Sequence, residues 1–228
     1  MKRWAYDLKP MASELRSLPR FRELADAIDR YHSAFSLHED LLEAKRAIDT
    51  LHEVNKNAGE RARFAAALMT HAIAMYARAT ISDQSGRRSI DVTISFSEDL
   101  KQKHMEMVDL RNTIIAHYGI PRGEHASRWN DERTVLRWHP EGRSFSYLSR
   151  RAGFLAETVN DLSVLTRHAG MAVASAIEER GLKLQAKLKK YEESPEVAAV
   201  AQRHRFEPED YYESPVAVAA FWEAIGST

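Results

Sequence analysis

The chain reads as an all-α protein carrying a small β element and a short helical tail. Three observations predict this. Only nine glycines and seven prolines interrupt 228 residues, so long stretches lack any breaker. Apolar residues recur at the three- and four-residue steps of a buried helix face over most of the length. Helix-start chemistry, a Ser or Asn ahead of Pro, Glu or Asp, stands before several of these stretches.

The elements follow in order. Pro19 suits the first turn of a helix running to about Phe35, with Leu24, Ala27, Ile28, Tyr31 and Phe35 as its apolar stripe. Ser36-Leu37-His38-Glu39 has capping-box spacing and predicts a second helix to about Val54, with Leu41, Leu42, Ala44, Ile48 and Leu51 inward. Asn57-Ala58-Gly59-Glu60 opens a third, whose face is Ala65, Leu68, Ala72, Met75, Tyr76 and Ala79. After Ser85-Gly86 the period shortens. Ile90, Val92, Ile94 and Phe96 alternate with Asp91, Thr93 and Ser95, which predicts a half-buried strand over 89–96. Ser97 then caps a helix over 97–118, with Glu98 and Asp99 favourable in its first turn and an end near Tyr118-Gly119. Residues 133–149 read as a hairpin around Pro140-Glu141-Gly142 that pairs with the 89–96 strand. A long helix from about Gly153 to Glu193 buries Leu155, Val159, Leu162, Leu165, Ala169, Val173, Ala176 and Ile177, and loosens or kinks near Gly181. Its basic end, Lys183, Lys187, Lys189 and Lys190, is expected to be solvated. Ser194-Pro195 and Ser214-Pro215 each start a short helix, with 203–213 as linker.

Composition narrows the function classes. Lys+Arg and Asp+Glu both number 33, so a nucleic-acid surface would have to be a local patch. The chain has no cysteine, which excludes disulfides, thiolate nucleophiles and cysteine metal sites within it. MKRWAYDLKP lacks the apolar run of a secretory signal, and no segment has the length of a membrane span. A cytoplasmic location without membrane contact is therefore expected. Paired Glu-x-x-His, His-Glu-x-x-His, Gly-rich phosphate loops and Gly-x-Ser-x-Gly are all missing, so no metal or cofactor is expected.

One charge stands out. On a wheel at about 100° per residue, Leu100, His104, Met107, Val108, Ile114, Ile115 and Tyr118 form a stripe with Arg111 in its middle. A guanidinium on a burial-bound face must be paired, hydrated or used. Asn112 and His117 follow in the string Arg111-Asn112-Thr113-Ile114-Ile115-Ala116-His117. Six residues of helix span about 9 Å and turn two side chains roughly 120° apart, so Arg111 and His117 do not share a face of one helix. Either the helix end unwinds near Gly119, or two copies of the helix cross antiparallel on a two-fold axis.

Leu110-Arg111-Asn112-Thr113-Ile114-Ile115-Ala116-His117 resembles the signature of the HEPN superfamily: an arginine, a polar residue and a histidine near the end of a long helix. The resemblance implies a helical bundle of four to five helices over 1–190, with the β segments as insertions and 191–228 as a helical appendage. It implies a homodimer through the 97–118 helix and a metal-independent endoribonuclease. His117 would move the proton, Arg111 would hold the phosphate and Asn112 would orient it. Attack of the ribose 2′-OH would leave a 2′,3′-cyclic phosphate. A toxin or phage-defence effector with an antitoxin partner belongs to the same implication. The alternative is a non-catalytic HEPN module binding a partner protein, nucleotide or RNA. Some HEPN toxins have a modified tyrosine two residues after the histidine; here Gly119 holds that place.

Plainer readings compete. Arg111 could be a core arginine paired with a carboxylate. His104 and His71 read as satisfied packing histidines, and Tyr118 as packing. Arg128, Arg133, Arg137 and Arg143, interleaved with Trp129, Trp138, Phe145 and Tyr147, match single-stranded RNA binding. The aromatics are expected on the core, while the arginines stay open between RNA contact and solvation.

Overall fold

The computed structural model describes residues 3–81, 87–112, 130–151 and 156–223. Among them the order is α1 (Leu8–Leu15), α2 (Arg22–Val54), α3 (Ala58–Thr80), α4 (Glu98–Leu110), β1 (Asn130–His139), β2 (Gly142–Arg151), α5 (Ala156–Lys190), α6 (Pro195–Arg203), α7 (Pro208–Tyr211) and α8 (Pro215–Glu223). The chain is mostly helical, with one small antiparallel sheet. No described helix is long and apolar enough to cross a membrane. Contacts divide the chain into two units, Ser33–Glu178 and Met1–His32 with Glu179–Thr228. The C-terminal residues therefore group with the N-terminus and the end of α5.

In the Ser33–Glu178 unit, residues of α2, α3, α4 and α5 share one core. Tyr76, Leu51, Met69, Ile73, Met107, Leu162 and Leu165 are its largest fully buried side chains. Each contributes on the order of 1.5–3 kcal/mol through burial. Asn57 caps α3 as its sequence predicts, its side chain accepting from the backbone N–H groups of Gly59 and Glu60. Ser97 likewise caps α4, accepting from Leu100.

Two expectations in this unit are overturned. The capping box at Ser36 starts no helix, because α2 runs unbroken for 33 residues. No Gly or Pro lies near Ser36, and continuing a helix avoids the cost of a new nucleus. The uninterrupted phase buries Ala34 and leaves Phe35 42% exposed, so Phe35 leaves the stripe assigned to it. The 89–96 strand is also absent. The Asp91 carboxylate accepts from the Thr93 N–H at 2.9 Å and its hydroxyl at 2.6 Å. Such a local bond competes with strand pairing. It tightens Val92–Ser95 into a 3₁₀ turn, with Val92 and Phe96 buried and Ile94 82% exposed.

The sheet consequently has two strands only, β1 and β2. They pair from Asn130↔Arg151 to His139↔Gly142, slightly beyond the hairpin predicted. Gly142 closes the turn at φ 147°, in the region that favours glycine.

A buried charge organises α2 and α3. Asp40 is 4% exposed and faces the core side of α2. It accepts from Arg78 Nε at 2.9 Å and from Arg87 Nη1 at 2.7 Å. Arg87 also donates to the Ser36 hydroxyl at 3.1 Å and to the Arg78 carbonyl at 2.9 Å. Ser33 Oγ accepts from the Arg88 N–H at 3.0 Å. Burial alone would push the Asp40 carboxyl up. Hydrogen bonds and charge from Arg78 and Arg87 outweigh it and hold the carboxyl below its usual range.

In the other unit, α1, the start of α2, the end of α5 and α6 share a second core. Gly181 does not interrupt α5, which runs through it as one helix. It sits inside α5 where a Cβ would come 3.2 Å from the Tyr31 ring, so the glycine permits a close approach. The basic end of α5 is only partly solvated. Lys187 and Lys190 both bind Glu23, with the Tyr191 hydroxyl, and hold its carboxyl down at about 2. The 203–213 linker contains α7 and an antiparallel bridge, Tyr6 to Arg205. Ser194 and Pro195 start α6, and Pro215 starts α8, as predicted.

Asp40→Ala is expected to lower unfolding stability by about 3 kcal/mol, the low end for breaking a buried pair because Arg78 is half exposed and screened. Urea titration measures it. The depressed Asp40 pKa gives stability that is full above the unfolded value near ~3.9 and is lost as pH falls through the folded value. The variant should therefore lose less stability on acidification than the parent.

Candidate active site

Arg111 follows the last residue of α4, and its backbone N–H bonds to the carbonyls of Met107 and Val108. The guanidinium is half-buried rather than buried, and Nη1 donates to Asn112 Oδ1 at 2.8 Å. Among the described residues it meets no carboxylate, so the core ion pair that would make Arg111 purely structural is missing there. Asn112 is exposed. A planar donor fork, oriented by a neighbouring amide and open to solvent, can bind a phosphate or carboxylate.

His117 lies outside the described residues, as do Tyr118, Gly119, Arg128 and Trp129. The structure thus brings Arg111 and Asn112 together, and the role of His117 stays with the resemblance.

His104 stands seven residues before Arg111, about two turns and ~10 Å along the same stripe. Its Nδ1 shares a 2.8 Å hydrogen bond with the Tyr76 hydroxyl. The rings of Tyr76 and Phe96 meet it edge-on. Burial lowers its pKa, opposed by the charge of Asp91. Burial also pushes the Tyr76 phenol well above its ordinary value. Both groups are therefore neutral near pH 7, and His104 fits the packing role assigned to it. His71 reaches Glu43 only at 3.9 Å on a half-exposed face.

The hairpin departs from expectation on its aromatics. Register and strand alternation put Leu136, Trp138, Phe145 and Tyr147 on one face with Arg143. None is buried: they are 46%, 67%, 76% and 64% exposed. The aromatics therefore face solvent, not the core. The Arg143 guanidinium lies 3.6 Å from the Trp138 ring centroid, a cation–π stack. Arg133 and Arg137 are exposed on the opposite face. The four arginines grouped by sequence thus divide, with Arg143 among aromatics, two behind them, and Arg128 undescribed.

The Asp40–Arg78–Arg87 cluster was not anticipated. Its signal was of the same kind as that of Arg111: a charge at a stripe position, between Leu37, Leu41 and Ala44.

A neutral buried His104 binds fewer protons folded than unfolded, so its contribution is full above ~6.5 and is lost as pH falls through the folded value. Melting temperature should drop between pH 7.5 and 5, and His104→Leu should reduce that drop. Compared with protein-family models, with curated proteins and with solved structures, the chain matches none.

Proposed function

We propose that the protein is a HEPN-like, metal-independent endoribonuclease that acts as a homodimer through the 97–118 segment. The observation that carries this is Arg111: a half-buried guanidinium, braced by Asn112, that meets no carboxylate among the described residues. Its position in the Arg-Asn…His string matches a phosphate clamp. In the proposed reaction His117 takes the proton of the ribose 2′-OH, the oxygen attacks phosphorus, and the 5′-oxygen leaves with a proton. Arg111 donates to the non-bridging oxygens as charge grows on them. The products are a 2′,3′-cyclic phosphate and a 5′-hydroxyl end. A defence or toxin role, with an antitoxin as partner, follows from the family likeness alone.

The hairpin supports RNA as the substrate and favours unpaired RNA. Exposed Trp138, Phe145 and Tyr147 offer ring faces to unstacked bases, and Arg143, Arg133 and Arg137 offer charge to the backbone.

Purified protein should cleave labelled RNA in EDTA. Arg111→Ala and His117→Ala should each lower the rate at least ~100-fold, as loss of an acid–base or charge-stabilising group does. Arg111→Ala should change stability by less than ~1 kcal/mol, whereas a structural ion pair predicts ~3–5. Absence of turnover with RNA binding that still depends on Arg111 would instead mark a non-catalytic module. Trp138→Ala and Phe145→Ala should each weaken single-stranded RNA binding by about 1–3 kcal/mol in fluorescence anisotropy, with duplex RNA little affected.

A further inference from the structure

A cleft of about 260 Å³ lies between the start of α2 and the end of α5, inside the unit formed by Met1–His32 and Glu179–Thr228. The proposed nuclease makes no use of it. α2 lines it with Glu23, Asp26, Ala27 and Arg30, and α5 with Arg180, Lys183 and Lys187. Both sets step by three and four residues, so each is one stripe of its helix. The two helices run antiparallel here: Glu23 meets Lys187 at one end, and Tyr31 meets Gly181 at the other.

The carboxylates of the lining are engaged. Glu23 is held by Lys187, Lys190 and the Tyr191 hydroxyl. Asp26 accepts from Arg16 Nη1 at 2.9 Å. Lys183 pairs with Glu179 of its own helix on an exposed surface, where water screens the pair.

The other end of the cleft holds two guanidinium groups. Arg180 crosses from α5, and its Nη1 donates to the Arg30 carbonyl at 2.8 Å. That bond sets it beside a residue of like charge. Burial and then the Arg30 charge lower the Arg180 pKa, and Glu179 opposes them only in part. Arg30 is exposed and pairs with no carboxylate among the described residues. The lining as a whole sets four cations against two carboxylates, an excess of two positive charges. An anion between like charges relieves their repulsion.

Three features select the anion. An arginine fork donates in pairs to phosphate or carboxylate oxygens. Two forks at the same end of one cleft suit a group that carries both charges on one centre. A phosphate monoester, with a charge of about −1.5 to −2 near pH 7, does this, whereas a dicarboxylate holds its charges apart. Further along the groove, Glu23 and Asp26 repel a second phosphate, which disfavours a nucleic-acid strand. The volume sets the size. A cavity of about 150 Å³ accepts benzene, so this cleft has room for a phosphate and a small body beside it.

We propose that this cleft binds a small phosphate monoester, its phosphate held between Arg30 and Arg180 with Lys183 as a third donor. The rest of the ligand lies along Ala27.

Calorimetry on the full chain at constant ionic strength, with glycerol 3-phosphate and inorganic phosphate as probes, should give saturable one-site binding with a Kd below about 1 mM, within reach of so few atoms. A tighter ester marks a phosphorylated small molecule as the source, and a tighter phosphate marks the free ion; both share the proposed chemistry. Succinate should bind at least about tenfold more weakly. Arg180→Gln should weaken both probes at least about tenfold, as loss of a charged donor does. That variant also loses the bond to the Arg30 carbonyl, so Arg30→Gln, at an exposed side chain without an ion pair, gives the same test on an intact fold. No saturable heat from either probe overturns the proposal. So does binding that Arg30→Gln leaves unchanged, or succinate that binds as tightly as phosphate. A short single-stranded RNA that displaces the probes at a lower Kd also overturns it and gives the cleft to nucleic acid. The rate of RNA cleavage enters none of these measurements, so the proposal fails or stands apart from the nuclease.

Discussion

A carboxylate on the core side of α2 obliges the chain to bring cations to it. Asp40 draws Arg78 from the end of α3 and Arg87 from the segment beyond residues 82–86. The first tie sets where α3 ends against α2. The second sets where the chain resumes, and the Arg88 N–H on Ser33 extends it by one more bond. From there the path to Val92, Phe96 and α4 is short. Arg111, one residue past α4, thus lies 71 positions beyond Asp40 (111 − 40), with the Arg78 and Arg87 ties between them in the chain. Removing a member of such a pair leaves a stranded charge, and that penalty makes the arrangement selective.

The same rule of charge near apolar surface recurs with different outcomes. Asp40 is sealed and doubly paired. Glu23, on the open surface of the other unit, gathers two lysines and a tyrosine hydroxyl. Arg111 is neither sealed nor ion-paired among the described residues. Of these, Arg111 keeps a donor set available for something outside the chain. The hairpin pairs this with another exposed resource, ring faces that no core covers.

Much of the helical framework was legible because it is written in local chemistry. Asn57, Ser97 and Ser194 announce their helices with side chains that do cap them. The stripes of α3 and α5 could be read because they bury against one core. Ser36 misled because a capping box works only where the chain is free to turn, and nothing there interrupts α2. The alternation at 89–96 misled for a similar reason: Asp91 satisfies Thr93 locally, so the segment needs no neighbouring strand. Gly181 looked like a weak point, yet its meaning lies in Tyr31, 150 positions away in sequence (181 − 31). Single-position signals of that kind depend on a partner the sequence does not identify. For the site, Arg111 and Asn112 were legible as a pair, while the exposure of the hairpin aromatics was not, because strand alternation alone does not say which face is covered.

That hairpin has a further bearing on how the molecule behaves in company. A sheet of two strands is all edge: among the described residues, β1 and β2 have no neighbour but each other. Each outer side presents backbone donors and acceptors to any extended peptide. Because there are two such sides, copies joining side by side leave an open side at each end and grow as a ribbon unless the rotation between them closes a ring. Arg137, exposed on β1, and its copy in a second chain put like charges side by side wherever two such strands align in register. Their repulsion acts as a brake on polymer growth, and it weakens as salt screens it.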